Sequence, residues 1–332
     1  MDRAEQLRRW LETTLGSGDF SIAPASDDAS FRRYFRIRCG DAQASLVAMD
    51  APPDREDCRS FVHVAHLFAQ AGVHVPEIRA QDLEQGFLLL SDLGSTTYLD
   101  ALDERSAGRL YGDALEALLR IQLASRPGVL PDYDRQLLER ELRLFPDWYV
   151  ARQLQKGLGA AQRETLEKAF STLLANNLGQ ARVFVHRDYH SRNLMVCEPC
   201  PGILDFQDAV YGPITYDLVS LLRDAYLAWE EERVIDWAVR YWEKARKAGL
   251  PVAGDFADFY RDFEWMGAQR QLKVLGIFAR LFYRDGKDGY LKDQPLVMRY
   301  LRRTCERYRE LAALAHLLDE LEAKEKRFGY TF

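Results

Sequence analysis

One stretch near the middle of the chain combines side chains that could carry out phosphoryl transfer. It contains His186, Arg187 and Asp188, then Asn193 five residues on, and Asp205 twelve residues after that. Phosphoryl transfer needs a carboxylate that orients a hydroxyl and accepts its proton, together with oxygen ligands that hold Mg²⁺ against phosphates. We therefore predict that Asp188 is the catalytic base and that Asn193 and Asp205 bind magnesium.

The spacing of these residues is more specific than any one of them. A lone His-x-Asp is common in solvated loops, whereas H-R-D-x-x-x-x-N followed by Asp205 and Phe206 has the form of a kinase catalytic loop and metal loop. Magnesium takes one or two carboxylates from a protein and completes its shell with phosphate oxygens and water. One Asn and one Asp therefore suffice. His186 is expected to brace the loop, and Asp208 to assist a second metal or the acceptor.

Short apolar runs flank this loop and are expected to position it. Residues 183–186, 194–197 and 203–206 are predicted as strands, and a turn containing Pro199 and Pro201 joins the last two as a hairpin. A small hairpin in a helical region would thus place the catalytic and metal-binding residues on neighbouring loops.

The rest of the chain divides into a mixed N-terminal part and a mostly helical remainder. Runs of aromatic and branched residues predict strands at 34–38, 45–49 and 86–90, and helical periodicity predicts helices over 2–15 and 58–72. From about Leu99 onward helices dominate. Those predicted cover residues 107–123, 133–155, 161–176, 216–229, 232–248, 255–282 and 294–324.

The bulk properties exclude several classes of protein. The chain has 332 residues and a net charge of -6, which disfavours nucleic-acid binding because that depends on clustered Lys and Arg. No stretch approaches the roughly 18 apolar residues of a membrane span, and the N-terminus lacks the apolar core of a secretory signal. Five scattered cysteines argue against a disulfide framework. We expect a monomeric cytoplasmic protein without nucleic-acid or membrane partners.

The catalytic stretch and the residues around it resemble the superfamily of aminoglycoside phosphotransferases and choline kinases. An Asp-Leu-Gly sequence at 92–94 follows a predicted strand where that family has its hinge. Gly-Pro at 212–213 precedes Asp217, which matches the family's buttress of the catalytic loop. By this resemblance, the backbone near Ser91 and Leu93 would contact the adenine of a nucleotide.

The resemblance also has implications for fold and cofactors. It implies an α+β, protein-kinase-like fold with two lobes, in which residues 1–94 form a small antiparallel-sheet lobe that binds the nucleotide. Residues 95–332 would form a larger, mainly helical lobe for catalysis and acceptor binding. The implied cofactors are ATP and Mg²⁺.

Three further stretches are similar to bacterial kinases that phosphorylate N-acetylmuramate and N-acetylglucosamine in cell-wall recycling. They are residues 28–34, 49–53 and 265–270. Kinases of that group act on the anomeric C1 hydroxyl, so the resemblance implies an amino-sugar acceptor. Other acceptors, such as choline, homoserine, a methylthioribose-like sugar or an aminoglycoside, stay open, as does a nucleotide-binding scaffold without turnover.

The chain departs from the kinase pattern at the residue that grips the phosphates. Kinases of this fold carry a Lys on the strand after the phosphate-binding hairpin, but residues 45–49 contain none. Arg32, Arg33 and Arg36 are the nearest cations, and either Arg33 or Arg36, on opposite faces of one strand, could reach the phosphates. The preceding turn lacks glycines, although Ser30 could offer a hydroxyl or an N–H group.

The helices predicted after the metal loop carry candidates for binding the acceptor. Arg270 and Lys273 would suit an acceptor with a carboxylate, such as the lactyl group of muramate, and Tyr216 and Trp265 could stack on sugar faces. Basic and aromatic residues on helices more often form solvated surface or core, so these assignments depend on the geometry of the family.

Overall fold

The computed structural model of the chain describes residues 2–26, 31–40 and 45–322. By their internal contacts these residues fall into two compact units, one drawn from Met1–Ile121 and Arg192–Ala209, the other from Gln122–Ser191 and Val210–Phe332. Within the described ranges no helix is long and apolar enough to cross a membrane. The predicted lobes, residues 1–94 and 95–332, assign nucleotide binding and catalysis to two parts of the chain, and this assignment stays a prediction.

The first unit contains a five-stranded antiparallel sheet in the order β1-β2-β3-β5-β4. Its strands are β1 (Phe20–Ser26), β2 (Arg33–Cys39), β3 (Ser45–Asp50), β4 (Ile78–Asp82) and β5 (Phe87–Ser91). Three of them confirm predicted strands, whereas the sequence did not predict β1 and β4. These two lie at the edges of the sheet, where polar residues and prolines such as Pro24 obscure the alternating pattern.

Four helices accompany this sheet, and the predicted positions of the longer three are confirmed. They are α1 (Arg3–Leu15), α2 (Cys58–Gln70), α3 (Tyr98–Ala101) and α4 (Ala107–Leu123). Leu7 and Leu11 face the same side of α1 because they are four residues apart. They form a buried cluster with Phe20, Ile37, Ala48, Phe87 and Leu89. Burial of this apolar stripe holds α1 against the sheet.

The hairpin that leads into Asp205 also belongs to the first unit. Its strands, β7 (Leu194–Met195) and β8 (Gly202–Ile203), pair antiparallel as predicted, although each is only two residues long. Phe206 follows β8 and packs its ring against Phe61 of α2, with centroids 4.8 Å apart. This contact anchors the segment that contains Asp205 to α2.

Helices dominate the second unit. They are α5 (Arg135–Leu144), α6 (Ala160–Gly179), α7 (Tyr216–Leu222), α8 (Glu231–Lys247), α9 (Phe256–Asp285), α10 (Gln294–Arg307) and α11 (Ala312–Glu322), with a 3₁₀ turn at Leu291–Asp293. Helix α9 is the longest at 30 residues and contacts α5, α6, α7, α8 and α10. It is therefore the element on which the other helices of this unit are assembled.

Three predicted helices differ in the structure. The helix expected over 216–229 ends at Leu222, the last residue of α7, and two others are interrupted. The helix expected over 133–155 is α5 followed by a π-helical segment, Phe145–Gln153, in which Pro146 removes a backbone donor. The helix expected over 294–324 is divided into α10 and α11 by a 3₁₀ turn at Arg309–Leu311, and its predicted end lies outside the described residues.

Helix α9 passes close to the end of α5 at Gly276. A β-carbon at this position would lie 2.3 Å from the carbonyl carbon of Leu144, far inside van der Waals contact. The obstacle is backbone, which cannot rotate away as the end of a side chain can. Glycine is therefore required for α9 to pack against the end of α5.

We expect Gly276→Ala to lower the free energy of unfolding by about 1–3 kcal/mol, the usual range for overpacking a core. Gly112→Ala is the matched control, because Gly112 lies within α4 and has no atom within 4 Å of the added methyl. That change should raise stability by about 0.5–1 kcal/mol. Urea unfolding of both variants provides the measurement, and equal effects would contradict the packing role of Gly276.

Candidate active site

The catalytic loop follows a strand whose partner leads into α7. Strand β6 (Arg182–Val185) pairs antiparallel with β9 (Val210–Pro213), which the sequence did not predict. His186 comes directly after β6, and Asp217 lies in the first turn of α7, shortly after β9. The pairing of two short strands thus brings a buried carboxylate to the start of the loop.

Asp217 fixes the backbone of this loop. Its carboxylate accepts the N–H groups of His186 at 2.6 Å and of Arg187 at 3.0 Å, and the residue is 1% exposed. Arg187 has a φ of 79°, a left-handed conformation that costs a non-glycine residue roughly 1 kcal/mol or more. The two hydrogen bonds offset that strain and hold the turn that precedes Asp188.

His186 supports the same turn from inside. Its Nδ1 accepts the backbone N–H of Asp188 at 3.2 Å, and the imidazole is completely buried. Its ring also packs edge-on against Tyr189. These are the contacts that the predicted bracing role of His186 requires.

The charges around Asp188 keep its carboxylate ionised. Burial alone would raise the pKa of Asp188, but the positive charges of Lys273, His190 and Arg270 lower it to about 2. Burial raises the pKa of Asp217 to about 7, and the charge of Asp188 adds to that rise while the two N–H bonds oppose it. At neutral pH the negative charge is therefore most secure on Asp188, where a hydroxyl could donate to it.

A buried glutamate that the sequence did not reveal organises the cations beside the loop. Glu141 of α5 accepts from Arg187 Nη2 at 2.5 Å, lies 3.2 Å from Lys273 Nζ, and also accepts from the hydroxyl of Tyr133. Burial would raise its pKa, but Lys273 and Arg187 lower it. The only signal in the sequence is that Glu141 shares the buried face of α5 with its neighbouring leucines.

Two predicted acceptor ligands belong to this supporting network. Lys273 Nζ donates to the hydroxyl of Tyr216 at 2.9 Å, and both side chains are buried. Because Lys273 also helps to neutralise Glu141, moving it toward an acceptor would leave that buried carboxylate with Arg187 as its one remaining cation among the described residues. Its contacts are therefore those of a residue that sets the charge at the loop.

The remaining acceptor candidates differ in their surroundings. Trp265 is buried, and its ring packs edge-on against Tyr308. Asp208 is exposed. Arg270 is 5% exposed, acts electrostatically on Asp188, and makes no hydrogen bond or ion pair with any residue that the structure describes. Arg270 is thus a buried cation near Asp188 whose guanidinium is not engaged by the residues that the structure describes.

The metal loop brings an amide and a carboxylate together. Asn193 Nδ2 donates to Asp205 Oδ2 at 3.3 Å, and Gln207 Nε2 donates to Asp205 Oδ1 at 2.6 Å. The N–H of Leu204 donates to the carbonyl of Asn193 at 2.9 Å, which links the two sides of the loop. Asp205 has a φ of 61°, the kind of uncommon backbone conformation that is concentrated at functional sites.

This donor set fits magnesium. Mg²⁺ prefers oxygen ligands and takes few carboxylates, and Asn193 and Asp205 supply one amide oxygen and one carboxylate. In the described ranges no group of three or more His, Cys, Asp or Glu side chains is arranged to hold a metal ion. A metal held by these two residues would complete its shell with phosphate oxygens or water.

The arginines predicted to bind nucleotide phosphates are engaged elsewhere in the first unit. Arg36 Nε donates to Asp92 at 2.6 Å, and its Nη2 donates to the carbonyl of Gly94 at 2.9 Å. Arg33 forms an ion pair with Asp50, and its side chain is 49% exposed. Arg36 therefore stiffens the segment after β5, and Arg33 covers one end of the sheet.

The other predicted nucleotide residues lie at or near the end of β5. The hydroxyl oxygen of Ser91 accepts the N–H of Glu77 at 2.8 Å, while the N–H of Ser91 donates to the carbonyl of Glu77 at 2.9 Å. Leu93 is buried. Ser30 lies outside the described residues, so its role stays a prediction, as does contact of Ser91 and Leu93 with adenine.

The geometry of the loop and the sequence agree on the class of protein. The sequence profile of the phosphotransferase enzyme family matches residues 21–256, which is more than half of the 332 residues. The chain belongs to this family and is a phosphotransferase. The predicted membership of the aminoglycoside phosphotransferase and choline kinase superfamily is confirmed.

Two relatives are similar along nearly their whole length. An N-acetylmuramate/N-acetylglucosamine kinase of Pseudomonas aeruginosa is 53% identical, over 96% of this chain and 97% of its own. A kinase of the same name from Neisseria meningitidis is 50% identical, over 100% of both chains.

A solved structure confirms the predicted fold class. A choline/ethanolamine kinase family protein from Mesorhizobium loti matches 96% of this chain and 100% of its own, with a TM-score of 0.64 and 14% sequence identity. At that identity the likeness concerns the fold, a kinase-like combination of an antiparallel sheet and a mainly helical part.

We expect Asp217→Ala to lower the free energy of unfolding by about 2–4 kcal/mol, because two buried N–H groups lose their acceptor. Asp217→Asn keeps one carbonyl oxygen and should fall between the wild type and the alanine variant. Urea unfolding at pH 7 measures the series. If all three proteins were equally stable, Asp217 would not be holding the loop.

Proposed function

We propose that this chain is an ATP-dependent kinase that phosphorylates the anomeric C1 hydroxyl of N-acetylmuramate and N-acetylglucosamine, as part of cell-wall recycling in the cytoplasm. The observation that carries the chemistry is Asp188, a partly buried, ionised carboxylate on a loop whose backbone Asp217 holds. The similarity of the whole chain to kinases with these two acceptors in their names supports the choice of substrate.

Asp188 would act on the attacking hydroxyl. Its carboxylate would accept a hydrogen bond from the acceptor hydroxyl and so direct a lone pair of the hydroxyl oxygen at the γ-phosphorus. It would take the hydroxyl proton as the new P–O bond forms and the bond between the γ-phosphorus and ADP breaks. A pKa near 2 makes Asp188 a weak base, so proton transfer would come late in the reaction. Orientation of the hydroxyl is then its larger contribution.

Asn193 and Asp205 would hold Mg²⁺, which when bound neutralises charge on the transferred and leaving phosphates. Gln207 would keep the Asp205 carboxylate in place through its 2.6 Å hydrogen bond. Ser91 and Leu93 would contact the adenine through their backbone, and the ion pair between Arg36 and Asp92 would stiffen that segment. Residues 1–94 would thus serve the nucleotide, and residues 95–332 catalysis and the acceptor.

On the acceptor side, Arg270 is the residue best suited to an anionic group. Its guanidinium is buried and without a hydrogen bond in the described part of the chain, and its charge acts on Asp188. The next residue, Gln271, is 3% exposed, and neither atom of its amide has a protein partner there. A carboxylate for Arg270 and an acetamido group for Gln271 would satisfy both, and N-acetylmuramate carries the two together.

The direct test is incubation of the protein with ATP, Mg²⁺ and each of the two amino sugars, followed by phosphorus NMR to locate the ester. A sugar 1-phosphate is the expected product. If parallel reactions instead gave phosphorylated choline, homoserine or aminoglycoside, that compound would replace the amino sugars as the acceptor. Nucleotide-dependent thermal stabilisation with no ADP release for any acceptor would point to a non-catalytic scaffold instead.

We expect Asp188→Ala to reduce kcat by about 10²–10⁴-fold, the usual contribution of a positioned base, while leaving ATP·Mg²⁺ affinity within about threefold. The control is Asp236→Ala, since Asp236 is exposed on α8 and pairs with Arg240 on the same helix. Coupled ADP release and isothermal titration give the two quantities. Near-normal turnover of the Asp188 variant would show that another residue is the base.

We expect Arg270→Ala to raise the KM for N-acetylmuramate at least tenfold more than the KM for N-acetylglucosamine, because only the former carries a carboxylate. Arg270→Lys should restore part of the difference. Steady-state kinetics on both sugars provide the measurement, with exposed Arg240→Ala as the control. Equal increases in the two KM values would contradict binding of the N-acetylmuramate carboxylate by Arg270.

A further inference from the structure

The missing lysine of β3 leaves open which cation binds the negative charge of the nucleotide. A nucleoside triphosphate with one Mg²⁺ still carries net negative charge, and kinases commonly meet part of it with a cation held by a glutamate. Resting on the proposed kinase function, we infer that Arg32, held in place by Glu56, is the cation that binds the phosphates of the nucleotide.

The ion pair between these two residues is well formed. Arg32 Nη2 lies 2.8 Å from Glu56 Oε2, and the two side chains are only 9% and 16% exposed. Arg32 stands immediately before β2, and Glu56 stands just before α2. The pair therefore links the sheet to the helix that also anchors the metal loop through Phe61 and Phe206.

The electrostatics of Arg32 link it to the metal loop. Burial opposes its charge, but interactions with Tyr34, Glu56, Asp208 and Asp205 raise its pKa. Asp205 is the carboxylate proposed to bind magnesium. A guanidinium that interacts electrostatically with Asp205 would also attract the phosphates bound to the same Mg²⁺.

The alternatives on β2 are held away from that role. Arg33 pairs with Asp50, a completely buried carboxylate that also pairs with Arg3 at 2.7 Å. Arg36 gives its guanidinium to Asp92 and to a backbone carbonyl. Because successive side chains of a strand alternate in direction, Arg33 also points away from the side that Arg32 serves.

The chemistry of arginine allows it to replace the lysine and serve two partners at once. Guanidinium carries five N–H donors in a planar fork, so one edge can stay on Glu56 while another meets a phosphate. In β3 the residues around the usual lysine position, Ala48 and Met49, are completely buried and apolar. A cation reaching in from the start of β2 supplies the charge without placing one in that core.

The test measures nucleotide binding rather than turnover. We expect Arg32→Ala to weaken ATP·Mg²⁺ and ADP·Mg²⁺ binding by about 10- to 100-fold, the loss of one or two charge-assisted hydrogen bonds, and to leave adenosine binding unchanged. Arg32→Lys should retain part of the affinity, and Glu56→Gln should lose less than Arg32→Ala because the cation remains. Arg38→Ala is the control, since Arg38 is exposed on β2.

Isothermal titration with ATP, ADP and adenosine gives these affinities, and thermal unfolding without nucleotide shows that each variant is folded. If Arg32→Ala does not fold, Arg32→Lys and Glu56→Gln still carry the test. Wild-type affinity for ATP in the Arg32 variants, with a loss in Arg33→Ala or Arg36→Ala instead, would overturn the inference.

Failure of the proposed function gives a different result. In that case the wild type would bind ATP·Mg²⁺ and the Arg32 variants would bind it more weakly, yet the wild type would phosphorylate neither amino sugar. Conversely, a wild type that phosphorylates the sugars and Arg32 variants that bind ATP normally would contradict only the role of Arg32.

Discussion

The partly buried negative charge of Asp188 is the constraint on which much of the second unit depends. A carboxylate is costly to bury in its ionised form unless positive charges or hydrogen-bond donors compensate it. Here Lys273, Arg270 and Arg187 act on that charge, and Glu141 in turn holds Arg187 and Lys273. The loop that carries Asp188, α5 and α9 are therefore coupled through charge, and a shift of either helix would change the pKa of Asp188.

A second set of buried charges fixes the position of α9 itself. Glu264 accepts from Arg223 at 2.6 Å and from Arg307 at 2.7 Å, and Arg223 also donates to Thr304 at 3.0 Å. Glu264 precedes Lys273 by nine residues, about 13 Å along the helix axis. Buried ion pairs add little net stability but permit few arrangements. This one joins α7, α9 and α10 at a fixed register, and so helps to set where Lys273 meets the catalytic loop.

The residues that the sequence predicts best are those whose relationship is local. The roles of Asp188, Asn193 and Asp205 stay predictions, but their proximity follows from spacing within one loop and one hairpin. Most strands and helices with clear periodicity lie near their predicted positions, whereas the helix predicted over 216–229 ends at Leu222. Glu141 could not be predicted, because its role depends on a partner 46 residues away. Likewise, three neighbouring arginines look alike in sequence, and only their partners separate Arg32 from the others.

The polar side chains near Asp188 fall into two groups, those that pair with other side chains and those without a hydrogen bond to the described residues. Lys273 and Tyr216 are predicted acceptor ligands, and in the structure Lys273 pairs with the buried Glu141 and donates to the hydroxyl of Tyr216. Moving Lys273 to a sugar would weaken the compensation of that buried carboxylate. Arg270 and Gln271 have no such obligation to any residue that the structure describes. Buried groups of this kind pay a desolvation cost that only a ligand or water can offset. Under the proposed function, recognition of the acceptor would therefore fall to Arg270 and Gln271, the side chains that have no hydrogen bond to the described residues.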